Sequence, residues 1–202
     1  MLTLTDIRKA YGRKTVLDGI SQNFPIGLTL LIGPSGAGKS TLLRVMATAE
    51  KPNRGTMIWN GAPLPGARSA LRATLSYAPQ AVDLPDDLTA REFALHMASL
   101  KGLDAGEADA QFGTITDAIG LHSNINSHIS TFSGGMRRRL IFAQAMLGSP
   151  QMLALDEPTA ELDGETARTL GALILERAKA AVVVMTTHLS GLVTVLRRSL
   201  ES

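Results

Sequence analysis

"LTLLIGPSGAGKSTLLRVM", Leu28 to Met46, decides how this 202-residue chain is read. Leu28–Ile32 is a continuous apolar run, which predicts a strand buried on both faces of a parallel sheet. After the glycine-rich turn, Leu42, Leu43, Met46 and Ala47 recur at helical spacing. Between strand and helix, Gly33 to Ser40 satisfies G-x-x-x-x-G-K-[ST], in the strand–turn–helix context that a phosphate-binding loop requires. Glycines let such a loop curl so that backbone N–H groups face phosphate oxygens, and the following helix adds its positive end. Gly33, Pro34, Ser35, Gly36, Ala37, Gly38, Lys39, Ser40 and Thr41 are therefore candidate nucleotide-binding residues. Lys39 would reach the β and γ phosphates as a mobile point charge, Ser40 would offer its hydroxyl to Mg²⁺, and Thr41 would lie near the phosphates.

Upstream of this segment, "MLTLTDI" alternates apolar and polar residues as a half-buried strand does, and "TVLDGISQNF" continues the style. Downstream, "GTMIWNG" reads as a short strand closed by the turn pair Asn60-Gly61. The first 80 residues thus read as strands and turns around one helix. From Leu84 to Gly148 the character changes to helical. Thr89 is a plausible cap for a helix with Phe93, Leu95, Met97 and Leu100 as its apolar positions. "DAQFGTITDAIGL" reads as a second helix. "GMRRRLIFAQAML" reads as a third, with Met136, Leu140, Ala143 and Leu147 on one face. Strand style returns in "QMLALDEP" and "AVVVMTTH", with a helix between them over Thr166 to Lys179. Strands separated by helices predict an α/β chain with a parallel sheet, an inserted helical block, and chemistry at the carboxyl ends of the strands.

At the end of "MLALD", Asp156 can hold Mg²⁺ through water, and Glu157 beside it can orient or deprotonate an attacking water. Taken alone, such a pair is an ordinary turn or cap; next to a phosphate loop it becomes a magnesium-side acid and a general base. His188 ends the strand "AVVVMTTH" and could reach a γ-phosphate. Gln80, in "SYAPQ", could link that phosphate to the helical block. Composition narrows the rest. With 45% hydrophobic and 19% charged residues the chain buries a real core, and a net charge of +2 gives no reason to expect nucleic acid as a partner. Cysteine is absent, which excludes disulfides and zinc–thiolate sites. The longest apolar runs fall far short of the ~18 to 20 residues of a membrane helix. The expectation is a soluble, cytoplasmic protein that reaches a membrane only through a partner.

In chain order, Tyr11 in "KAYG", "GPSGAGKST", "YAPQ", "FSGGM", "MLALDEPTAELD" and "TTH" resemble the motifs of the nucleotide-binding domain of ATP-binding cassette (ABC) transporters, most closely the export-type branch. The resemblance implies a P-loop ABC ATPase core with a mixed or parallel sheet, an N-terminal antiparallel β subdomain and an inserted α-helical subdomain. It implies a single domain over 1–202, with 84–149 as the helical, signature-bearing part and 1–83 and 150–202 as the core with its β subdomain. Tyr11 would stack on adenine. Ser40, Gln80 and Asp156 would surround Mg²⁺, Lys39, Glu157 and His188 would act on the γ-phosphate, and Gln80 would couple to a membrane subunit. Ser133, Gly134 and Gly135 would contact ATP held by the opposite subunit, and Asp163 would lie in the loop that crosses to it.

These roles imply ATP and Mg²⁺ as ligands and a head-to-tail pair, either a homodimer or a pair with another ABC subunit. They also imply a separate transmembrane permease that holds the chain at the inner face of the membrane. Phe132, Met136 and Glu161 depart from the family's common residues, with Glu161 expected to face solvent. The sequence given stops 14 residues after His188, where "GLVTVLRRSL" leaves room for one helix, or for a strand and a helix. Arg137, Arg138 and Arg139 sweep about 200° of a helix at ~100° per residue, so they are expected on the solvated side. A shortened cassette that binds ATP and regulates a partner, and a soluble cassette acting on nucleic acid, are the competing readings. A nucleotide kinase or GTPase would explain the phosphate loop alone.

Overall fold

The computed structural model describes residues 1–160 and 162–187. Among them the strands form two sheets. The first is antiparallel, in the order β2-β1-β4-β5, built from β1 (Leu2–Tyr11), β2 (Lys14–Phe24), β4 (Arg54–Trp59) and β5 (Ala62–Pro63). The second is parallel, in the order β3-β8-β7-β6, built from β3 (Gly27–Ile32), β6 (Leu75–Ala78), β7 (Met152–Asp156) and β8 (Val182–Thr187). The helices are α1 (Lys39–Met46), α2 (Arg68–Thr74), α3 (Ala90–Ser99), α4 (Ala105–Ala118), α5 (Gly134–Met146) and α6 (Gly164–Ala178).

The antiparallel sheet follows its turn chemistry. Asn60 and Gly61 take φ of 48° and 83°, the left-handed pair a tight hairpin needs, and bring Trp59 opposite Ala62. Gly55 is required by contact as well as conformation: at φ 95°, an added Cβ would lie 2.4 Å from the Asp6 carbonyl oxygen on the neighbouring strand. β1 runs in the middle of this sheet, with Leu2, Leu4 and Ile7 buried beneath it.

The parallel sheet divides the interior by alternation. Met152, Ala154, Val182 and Val184 join a cluster with α1 and the antiparallel sheet, while Leu153, Leu155, Val183 and Met185 join the cluster of α3–α6. On α1, Leu43, Val45 and Met46 are fully buried, each worth about 1.5–3 kcal/mol by removal of apolar area from water. β7 and β8 are buried along their whole length, as expected for strands covered on both faces. β3 is not: Gly27–Leu31 are only half-buried, because β3 has β8 on one side and no strand on the other among the described residues.

Three further expectations are corrected. A second helix, α2, lies within the first 80 residues; it begins at Ala67 with no side-chain cap, so its start carries no sequence signal. In α3 the residues turned inward are Ala90, Ala94 and Ala98, while Phe93 and Leu95 are partly buried and Leu100 is exposed. The Thr89 cap does form, as a reciprocal box with Glu92. The arginines of α5 are not a wet face. Arg137 Nη2 donates to Asp86 Oδ1 (2.6 Å), Arg138 Nη1 to the Ala160 carbonyl (2.6 Å), and Arg139 Nη1 to the carbonyls of Ile119 and Gly120 (3.0 and 2.9 Å). α5 is buried from Leu140 through Met146, wedged between the other helices and the parallel sheet. The segment "GLVTVLRRSL" and Glu161 lie outside the described residues.

Candidate functional site

The register of the parallel sheet assembles the site. Ile32 pairs with Thr187, Asp156 with Thr186, and Ala78 with Leu155, so the carboxyl ends of β3, β8, β7 and β6 finish side by side. The phosphate loop leaves β3, the acidic pair leaves β7, and Gln80 follows β6 by two residues. They meet around a cavity of about 280 Å³, lined by Ser35, Gly36, Gly38, Lys39, Ser40 and Thr41 of the loop and by Gln80 and Glu157 across from it. Lys14 and Val16 of β2 close a third side.

Within the loop, Gly36 and Gly38 take φ of 77° and 91°. A Cβ at Gly38 would stand 2.9 Å from the Val16 carbonyl oxygen, so the loop passes β2 as closely as a backbone can. Gly33, Pro34 and Ala37 form the back of the turn: Ala37 N–H donates to the Pro34 carbonyl, and Lys39 Nζ donates to the carbonyls of Gly33 (2.7 Å) and Pro34 (3.0 Å). Gly38 caps α1 with no side-chain acceptor, which leaves the first N–H groups of that helix to an anion.

Asp156 is buried at 4% exposure and accepts from Ser40 Oγ (3.1 Å) and Thr186 Oγ1 (2.6 Å). Thr186 in turn accepts from the Glu157 backbone N–H (2.9 Å), so one buried hydroxyl holds both acidic residues in place. Glu157 leaves the strand at φ 51°, a left-handed conformation, and its Oε2 accepts from Gln80 Nε2 at 3.1 Å. A hydroxyl and a carboxylate in direct contact beside the phosphate-loop cavity are hard oxygen donors of the kind Mg²⁺ takes together with phosphate oxygens.

Tyr11 lies at the edge of this arrangement. It pairs across the β1–β2 hairpin with Lys14, which lines the cavity. Its hydroxyl donates to Glu50 Oε2, and Lys9 Nζ sits over its ring, 5.2 Å from the centroid. Burial, the largest single influence on Glu50, pushes its carboxyl pKa upward, but hydrogen bonds from Tyr11, Lys9 and Arg44 hold it below the ordinary range. Ser133 caps α5 by accepting from the Met136 N–H (3.3 Å), and neither it nor Gly134 or Gly135 lines the cavity. A Cβ at either glycine would meet nothing within 4 Å. Asp163 caps α6 by accepting from the N–H and hydroxyl of Thr166 and from the N–H of Glu165, bonds that hold its carboxyl below the usual range. His188 lies outside the described residues.

Two parts of this geometry escaped the sequence. Thr186 is quoted in "TTH" only as the approach to His188, yet it fixes Asp156 and Glu157; a hydroxyl ending an aliphatic run was its signal. Glu50 and Arg44 carry no motif and become notable only when β1 and α1 are brought together.

The geometry defines a phosphate-loop protein, and comparison with known proteins places it further. The family described as ABC transporter matches residues 17–160. A Nod factor export ATP-binding protein I of Paraburkholderia xenovorans is 36% identical over 188 residues, covering 90% of this chain and 60% of that protein. A linearmycin resistance ATP-binding protein of Bacillus subtilis is 33% identical over 167 residues, covering 82% of this chain and 54% of its own length. A solved ATP-binding subunit of an ABC transporter shares the fold with a TM-score of 0.85 at 27% identity, over 94% of this chain and 80% of that one. The dimeric structure of an ATP-binding cassette in a post-hydrolysis state, bound to ADP and Pi, shares it with a TM-score of 0.85 at 24% identity, over 98% of this chain and 90% of that one.

This chain belongs to the ABC transporter family and has the fold of its ATP-binding cassette. It spans 54–60% of the length of the two curated relatives. Among the described residues no helix is long and apolar enough to cross a membrane.

Proposed function

We propose that the chain is the ATP-binding subunit of an exporter, hydrolysing ATP in a head-to-tail pair and driving a separate transmembrane permease from the inner face of the membrane. The observation that carries this reading is the convergence of the phosphate loop, Glu157 and Gln80 on one cavity, with Asp156 held against Ser40 of its wall. The backbone of Gly33–Thr41 and Lys39 bind the triphosphate, and Ser40, Gln80 and Asp156 hold Mg²⁺, which offsets negative charge on the phosphate oxygens when bound. Glu157 takes a proton from a water whose oxygen attacks the γ-phosphorus, and ADP departs in line. His188 is assigned to the γ-phosphate.

The second half of each site is assigned to Ser133–Gly135 of the other subunit, a homodimer mate or another ABC subunit, with Asp163 in the crossing loop. Its support is steric: the chain's own packing leaves open space at both glycines, as a surface approached closely by another molecule requires. Residues 84–149 act as the helical, signature-bearing subdomain of a single cassette. Gln80 is bordered by Pro79 and Val82, which line an apolar cleft of about 230 Å³ with Phe93 and Met97; the permease is assigned to this cleft, beside the residue that reports on Glu157.

Complementation tests the shared site. Lys39→Ala disables the phosphate loop of its own chain, and Ser133→Arg disables the half-site offered to the partner. Each variant alone is expected to lose phosphate release. A mixture regains it, because one composite site in the mixed pair is intact. Full activity of Ser133→Arg alone, or no recovery on mixing, contradicts the head-to-tail assignment.

A further inference from the structure

Glu50 lies just beyond α1, at no motif, yet it is the common partner of three groups from two elements. Its Oε2 accepts from the Tyr11 hydroxyl and lies 3.2 Å from Lys9 Nζ, and its Oε1 accepts from Arg44 Nε at 2.6 Å. Arg44 Nη2 continues to Thr41 Oγ1 at 3.2 Å, in the wall of the phosphate-loop cavity. Lys9 is itself anchored, by donation to the Lys51 carbonyl at 2.8 Å, so the ammonium over the Tyr11 ring is fixed from below as well.

These contacts remove most of the freedom an exposed tyrosine would have. Tyr11 is 44% exposed, and its ring would ordinarily sample several rotamers. Here the hydroxyl is tethered at its far end and a cation sits over the ring, which leaves at most one face for a flat partner. Tyr11 also stands opposite Lys14, a residue that lines the cavity assigned to the phosphates.

We propose that Glu50 is a positioning residue for nucleotide binding: it holds the Tyr11 ring in the orientation that stacks on the base, with Lys9 behind the ring. This rests on the assignment of Tyr11 as the base-stacking residue. Glu50 touches no part of the nucleotide; it acts by preventing Tyr11 from turning away. Loss of the tether costs base binding and leaves phosphate binding intact.

The test compares ATP with inorganic triphosphate, which lacks a base, as ligands of the full chain in the presence of Mg²⁺. Tyr11→Phe removes the tether and keeps the ring; Glu50→Ala removes the acceptor. Each is expected to weaken ATP binding about three- to tenfold, the scale of one lost hydrogen bond. The double variant is expected to be no weaker than either single one, and triphosphate affinity is expected to be unchanged in all three. Multiplying losses in the double variant, or a parallel loss of triphosphate binding, would overturn the proposal, since Glu50 would then act through the loop or the fold. Tyr11→Ala separates the two layers. If it weakens ATP binding while Tyr11→Phe and Glu50→Ala do not, stacking stands and the positioning role falls. If it binds ATP as the unaltered chain does, the stacking assignment falls and takes the proposal with it.

Discussion

Glu157 holds a backbone conformation that costs a non-glycine residue about 1 kcal/mol or more, at φ 51°, directly after a fully buried strand. The surrounding bonds enforce it: its N–H is tied to Thr186, and its carboxylate meets Gln80 across the cavity. Strain of this kind persists where a side chain must be aimed, here away from the line of β7 and towards the phosphate loop. Glu157→Gly and Glu157→Ala both remove the carboxylate, but only alanine retains the strain. Urea unfolding is expected to show the glycine variant more stable than the alanine variant by about 0.5–1 kcal/mol, the reverse of the usual order. Equal or inverted stabilities would mean that the turn relaxes and stores nothing. At this scale the sequence was informative about chemistry and silent about geometry. "DE" after an apolar run marked the acidic pair, but the left-handed turn and the role of Thr186 depend on the β7–β8 register, which links residues about thirty positions apart.

Among the elements, α5 departs most from its sequence pattern. The spacing of Met136, Leu140, Ala143 and Leu147 correctly placed a helix but not a single core face: Met136 is partly buried, Leu140 to Met146 are buried all round, and Leu147 is buried although the helix ends at Met146. The three arginines were misjudged because their partners are carbonyls and a carboxylate presented by other elements. Arg139 supplies donors to the carbonyls of Ile119 and Gly120, at the carboxyl end of α4, where a helix exposes unpaired acceptors and favours a cation. Arg137 makes an ion pair with Asp86, whose side chain is 64% exposed. Arg139→Ala is therefore expected to cost about 1.5–3 kcal/mol of stability, and Arg137→Ala under about 1 kcal/mol. Chemical denaturation of the two variants checks the order; a larger loss at Arg137 would reassign the link between helices. The alanines of α3 hid its true inner face for a related reason. Small residues score weakly as apolar, yet they are what lets neighbouring helices approach, and tertiary packing decided which side turned inward.

Across the whole molecule, the parallel sheet separates two cores and carries the site on its carboxyl edge, where the elements from both cores end together. That much was legible: an apolar strand before the phosphate loop, another before the acidic pair, and helices between them fix the layer order and the edge on which ligands bind. The half-buried state of β3 was not legible, because it depends on which neighbours a strand acquires. The composite site proposed for the pair is a whole-molecule property as well. The small residues of the α5 start stand outside the cavity of their own chain and are sterically open, so the account requires a second subunit to bring them to a phosphate. Glu157→Gln keeps the shape of the site and removes the proposed proton acceptor, so it should hold the bound state. Light scattering on that variant is the most direct measurement. With ATP and Mg²⁺ the expected result is the mass of two chains, two ATP bound per pair, and negligible phosphate release. A single-chain mass at saturating ATP, or phosphate release at the rate of the unaltered chain, would contradict it.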